Sequence, residues 1–216
     1  RYDKIHLFRY DNGRERYDEA AVLQAGDTPT TFDCTGKGGD VWRVGQSICY
    51  DMRFAELYRE YAARGVDLLL APSAFTHTTG EAHWEVLLRA RAIENLSFVA
   101  AAAQGGVHPS GRRTWGQSLL IDPWGKVIAE QAEGPGVVLA ELDYRQLQHC
   151  RAQLPALQHR RLDCDVLVDH AEAGVVDQRV HEDALGLGLG EQSLGRARLG
   201  QVGRQHHAGH LRRQLR

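Results

Sequence analysis

This 216-residue chain predicts a layered α/β fold, and three observations carry that expectation. Apolar runs of strand length alternate with stretches whose apolar residues recur at helical spacing. Glycine and proline fall at the boundaries between them. The length suffices for one medium domain with a sizeable core, or for one domain and a tail.

The elements follow in order. Lys4-Ile5-His6-Leu7-Phe8 is a short apolar segment, and Arg9 to Glu19 a polar connection in which Asn12-Gly13 signals a turn. Val41-Trp42-Arg43-Val44 reads as a strand within an apolar run reaching Ile48. Phe54 to Arg64 has helical spacing, and Gly65 supplies its stop. Val66 to Ala71 is the apolar run of a buried strand. Glu81 to Asn95 predicts a second helix whose face carries Trp84, Leu87, Leu88, Ala90 and Ile93, and Phe98 to Ala102 the next strand. Ser118 to Asp122 and Lys126 to Ala129 read as strands joined by the turn Pro123-Trp124-Gly125. Gly136 to Leu142 predicts a further strand, and Tyr144 to Gln153 a closing helix.

From Asp163 to Arg216 the composition breaks: there is no aromatic residue and no Lys, Ile, Met, Pro or Thr. The expected organisation is therefore a domain over residues 1–162 and a low-complexity tail over 163–216, disordered or frame-shifted rather than an evolved domain. An intact reading frame on resequencing would count against that. Gly186-Leu187-Gly188-Leu189-Gly190 lacks the flanking strand and helix of a phosphate loop. His206, His207 and His210 have a spacing that could hold a metal on a helix, but in this composition they read as incidental.

A formal charge of -2 and a pI near 6.6 give no electrostatic reason to expect nucleic acid or an anionic membrane as partner. No apolar run approaches the roughly 18–20 residues that span a bilayer. The four cysteines lack paired spacing, so a reducing, cytoplasmic setting is expected. The chain opens on Arg1 with residues that look like the inside of a motif, which suggests a fragment.

The chemistry centres on Cys49, in Ser47-Ile48-Cys49-Tyr50-Asp51-Met52-Arg53-Phe54. A thiol between a strand and a helix sits beside backbone N–H groups that favour thiolate. An enzyme with a cysteine nucleophile is the leading expectation. A Cys-His hydrolase or protease would pair Cys49 with His83. A serine hydrolase is disfavoured, because Gly116-Gln117-Ser118-Leu119-Leu120 lacks the closing glycine of a nucleophile elbow.

Several long motifs in order resemble the nitrilase (carbon–nitrogen hydrolase) superfamily, in its Nit-type amidase branch. Tyr2 to Phe8 resembles the lysine motif and Ile48 to Phe54 the nucleophile motif. Pro72-Ser73-Ala74-Phe75, Thr79 to Asn95 and Ser118 to Gly125 look like this branch too, so the resemblance covers about residues 1–162. It implies a four-layer α-β-β-α sandwich, incomplete at the N-terminus here, and a Glu-Lys-Cys triad. Cys49 falls on the nucleophile, Lys4 on the lysine, and Glu19 on a second active-site glutamate. The general-base glutamate falls upstream of Arg1, so this chain alone is expected to be a poor catalyst, and an inactive fragment is the rival outcome.

The resemblance further implies that small linear amides, of the deaminated-glutathione or omega-amide type, are cleaved to acid and ammonia through a thioester. Arg9 departs from an acidic residue common in the family. Lys4 and the Tyr50 N–H are the expected oxyanion donors, and Ser73, Ala74 and Phe75 the expected substrate loop. Asp51, Arg53, His83, Trp84 and Glu85 are expected to support the site. Arg89, Arg91 and Glu94 are read as structural ion pairs. No metal or cofactor is implied. The implied partners are a small-molecule amide and, for intact members, a second copy in a homodimer.

Overall fold

A computed structural model describes residues 1–162. Cys164, the 186–190 glycine run and the three histidines at 206, 207 and 210 lie outside the described residues, as does the rest of the expected tail. The chain starts with β1 (Arg9–Asp11) and β2 (Arg16–Asp18), an antiparallel hairpin. Its turn is the expected one: Gly13 has φ +81°, and the Asn12 side chain accepts from the Arg14 and Glu15 N–H groups.

Then follow β3 (Thr31–Thr35), β4 (Val41–Gln46), α1 (Ala55–Ala63), β5 (Leu68–Leu70), α2 (His77–Asn95) and β6 (Phe98–Ala101). A second hairpin, β7 (Gly105–Val107) with β8 (Arg113–Trp115), precedes β9 (Ser118–Ile121), β10 (Val127–Gln131) and α3 (Tyr144–Gln153). Six strands form one mixed sheet in the order β10-β9-β6-β5-β4-β3, with β4, β5 and β6 parallel and the outer pairings antiparallel.

Alternation along the central strands divides the core between the two faces of the sheet. Leu69, Val99, Leu119 and Ile121 pack with Tyr58 and Tyr61 of α1 and with Trp84, Leu88 and Ala92 of α2, spaced four apart on one helix face. Their neighbours Leu68 and Phe98 join Trp42 and Leu147 of α3 in a second cluster. The α/β class expected from the sequence is the observed one.

Two of the expected elements are observed differently. The second helix begins at His77, one turn before Glu81. Gly80 permits this: a β-carbon there would lie 2.2 Å from Cβ of Trp115, so only glycine lets this turn meet β8 so closely. The strand expected over Gly136 to Leu142 is irregular chain. Its apolar residues bury little, with Val137 and Leu139 each more than three-quarters exposed, and no strand of the described residues pairs with it.

Candidate active site

Parallel pairing carries the chain past the end of β4 to Cys49. The Ser47 N–H donates to Leu70 O at 3.0 Å, and the Cys49 N–H to Pro72 O at 3.0 Å. Cys49 then opens a single 3-10 turn, Cys49–Arg53, with φ +52°. That left-handed conformation costs a non-glycine residue about 1–3 kcal/mol and persists only where its surroundings hold it.

The hold comes from Asp51. Its fully buried carboxylate accepts from the Ile48 N–H and the His6 N–H, both at 2.9 Å, and from the Tyr2 hydroxyl at 2.7 Å. The His6 Nδ1 lies 2.9 Å from the same carboxylate, and the His6 ring stacks on Phe54 at 3.7 Å. From α2, the buried Arg91 donates to Met52 O at 2.9 Å and pairs with Glu94 at 2.6 Å. Asp51 therefore fastens the segment bearing Lys4 to the turn bearing Cys49.

Lys4 forms an ion pair with Glu19, whose Oε2 also accepts the Phe8 N–H at 2.8 Å. Opposite them runs the loop after β5. The Ser73 N–H donates to Ala102 O at 2.8 Å, and the Gln104 N–H returns to Ser73 O at 2.9 Å. Lys4, Glu19, Cys49, Tyr50 and the Ser73-Ala74-Phe75 stretch line one cavity of about 770 Å³.

The thiol is not the ready thiolate expected of an elbow. Burial dominates and pushes the Cys49 thiol above its ordinary range; the Ala74 backbone hydrogen bond and the charges of Lys4 and Arg112 oppose this, and Glu19 adds to it. The folded state thus favours the neutral form. Its contribution to stability is full below the ordinary thiol pKa and fades as pH rises through the raised one. Alkylation of Cys49 by iodoacetamide should accordingly rise with pH to a midpoint above the usual value of about 8.5; a midpoint below that value would contradict this balance.

A family model described as carbon-nitrogen hydrolase matches residues 1–152. The chain belongs to the carbon-nitrogen hydrolase family. It is 44% identical over 162 residues to the deaminated glutathione amidase of Synechocystis, covering 74% of this chain and 58% of that protein. It is 42% identical over 164 residues to omega-amidase NIT2 of Homo sapiens, covering 76% of this chain and 58% of that protein. Among solved structures, Saccharomyces cerevisiae Nit3, a member of branch 10 of the nitrilase superfamily, aligns with TM-score 0.63 at 34% identity. That alignment covers 74% of this chain and 54% of Nit3. The chain therefore spans between half and two thirds of each of these three proteins.

In this family member the remaining expected residues fall behind or beside the cavity. His83 is exposed, its Nδ1 3.1 Å from Arg53 Nη2, and it does not line the cavity, so the Cys49–His83 pair of a Cys-His hydrolase is not formed. Arg53 lies over the rings of Phe75 and Tyr50, at 5.4 and 5.9 Å. The buried Trp84 donates to Gln117 O at 2.7 Å, and Glu85 pairs with Arg89 at 3.4 Å. Among the described residues no cluster of three His, Cys, Asp or Glu could hold a metal, and no helix is long and apolar enough to cross a membrane.

Sequence reasoning missed Phe8, Gln104 and Arg112, which also line the cavity. For Arg112 a signal existed: adjacent arginines in a glycine-bounded excursion, Gly105 to Gly116, between two strand runs.

Proposed function

We propose that this chain carries the nucleophile and lysine of an amidase that cleaves small linear amides to acid and ammonia. The observation behind this is the placement of the Cys49 thiol beside the Lys4–Glu19 pair in one cavity, on a strained turn held by buried bonds. The Cys49 sulfur, giving up its proton, attacks the amide carbonyl and forms a C–S bond. Negative charge develops on the carbonyl oxygen, where the Lys4 ammonium and the Tyr50 N–H receive it. The Tyr50 N–H lies in the first turn of its helix, where N–H groups have no intrahelical acceptor.

As the tetrahedral intermediate collapses, the C–N bond breaks and the amine leaves protonated as ammonia. Water then attacks the thioester, releasing the acid and restoring the thiol. Glu19 is assigned to holding Lys4, since its Oε2 is taken by the ammonium and the Phe8 N–H. Proton transfers go to the general-base glutamate of the family pattern. Side chains supply every step, so the proposal includes no cofactor.

The substrates proposed are those of the two named relatives, deaminated-glutathione-type or omega-amides. A reducing compartment such as the cytoplasm would keep Cys49 usable. A homodimer is proposed for the whole protein, and exposed Val86, Ile93 and Trp124 support it.

An activated acyl donor, p-nitrophenyl butyrate, tests the first half-reaction directly. Peptide mapping should find the butyryl group on Cys49, cleared by hydroxylamine as a thioester is, and absent from Cys49→Ala. Acylation of exposed Cys34 with none at Cys49 would refute the assignment.

A further inference from the structure

The chain holds two asparagines, and only Asn12 precedes a glycine. Asn12 is exposed at the tip of the first hairpin and does not line the cavity. Four hydrogen bonds surround its amide. The Gly13 N–H donates to Asp11 Oδ1 at 2.9 Å. The Asn12 Oδ1 accepts from the Arg14 N–H at 2.9 Å and from the Glu15 N–H at 2.7 Å. The Asn12 Nδ2 donates to the Tyr10 hydroxyl at 3.1 Å.

A turn needs an asparagine oxygen that accepts N–H groups further along the chain. It does not need a carboxylate on the next N–H or a hydroxyl at the amide nitrogen. Those two additions have a chemical meaning. The Gly13 nitrogen and the Asn12 Cγ are the ends of a five-atom ring, so their reaction is intramolecular. Asp11 is placed as the base for the attacking nitrogen. The Arg14 and Glu15 N–H groups are placed as donors to the oxygen that gains charge. Tyr10 is placed to give the departing nitrogen a proton. Even a β-carbon on Gly13 would meet nothing within 4 Å, so the ring has room to close and water to reach it.

We propose that this tip is a self-processing deamidation site, at which Asp11, Tyr10 and two main-chain N–H groups convert Asn12 to aspartate or isoaspartate with water as co-reactant. The Gly13 nitrogen attacks Cγ and passes its proton to Asp11 as the C–N bond forms. Charge gathers on Oδ1, where both N–H donors hold it more tightly than they hold the neutral amide. The Cγ–Nδ2 bond then breaks, and ammonia leaves with a proton from Tyr10, which recovers one from Asp11 through solvent. Water opens the resulting succinimide. Opening at the side-chain carbonyl gives aspartate; opening at the main-chain carbonyl gives isoaspartate, with the backbone rerouted through Cγ. Cys49 takes no part, so the site stands or falls apart from hydrolysis in the cavity.

The test follows the full chain at neutral pH, folded or unfolded in urea. Peptide mapping reads the mass gain and the isoaspartate at Asn12, with Asn95, followed by the bulkier Leu96, as internal reference. The folded parent should convert about tenfold faster than the unfolded chain, since an exposed tip realises only part of the ~10²–10⁴ that a positioned base supplies. Asp11→Ser keeps an acceptor for the Gly13 N–H but no base. Its folded rate should fall to within about twofold of its own unfolded rate.

A folded parent that converts no faster than the unfolded chain overturns the proposal, because the bonds at the tip would then protect the amide. So does an Asp11→Ser rate equal to the parent's. A rate that falls in Cys49→Ala would move the reaction to the cavity and overturn it as well.

Discussion

Lys4→Met is expected to slow acylation of Cys49 by about 10²–10³, the usual effect of losing one oxyanion donor. Methionine preserves much of the buried stem and removes only the cation, so a large loss of stability is not anticipated. Two effects act in the same direction. The developing oxyanion loses its ammonium partner, and Glu19 becomes an uncompensated negative charge near the thiol. Since Lys4 lowers and Glu19 raises the Cys49 pKa, the alkylation midpoint should also move further upward. Stopped-flow release of p-nitrophenol from the butyrate ester measures the first effect, and the pH dependence of alkylation the second. An acylation rate within tenfold of the parent would remove Lys4 from the mechanism.

Asp51→Ala should cost about 3–5 kcal/mol, since it strips a buried carboxylate from several donors at once. The Ile48 and His6 N–H groups and the Tyr2 hydroxyl would each lose their acceptor, a carboxylate that is itself fully buried. The same change releases the left-handed turn at Cys49 and the segment carrying Lys4, so reactivity and stability should fall together. Urea denaturation of the two proteins measures the first. A loss below 1 kcal/mol would mean that packing around Phe54 and Met52, rather than this carboxylate, holds the turn.

The core elements were legible because burial imprints a period. In α2 the buried Trp84, Leu88 and Ala92 recur every fourth residue, and in the strand runs through Leu69 and Val99 adjacent apolar residues face opposite sides of the sheet. Strand β3 was not legible: it lies at the sheet edge with nearly every residue exposed, so no face leaves a pattern in Thr31–Thr35. Over Gly136 to Leu142 the reverse occurred, since apolar composition suggested a strand where Val137 and Leu139 face solvent.

The site divided along the same line. Cys49 and Lys4 stood out through local motifs, and each does line the cavity. Arg112 did not, because its setting depends on a hairpin folding back over the loop at Ala74. The elevated thiol pKa was equally hidden. It reflects burial together with charges from three separate stretches of chain, none of which shows in the residues next to Cys49.

The base of the first hairpin has a consequence for how such a site can change. Glu19 N–H donates to Phe8 O at 2.9 Å, and the Phe8 N–H returns to the Glu19 carboxylate at 2.8 Å. Everything between these residues is a clipped excursion with an exposed tip at Asn12-Gly13. Lengthening or trimming it leaves Lys4 and Glu19 tied at the clip, as exposed loop tips elsewhere accept insertions. The hairpin and the cavity's reacting groups are thus separable inheritances: one can drift in length and chemistry while the other stays where it is.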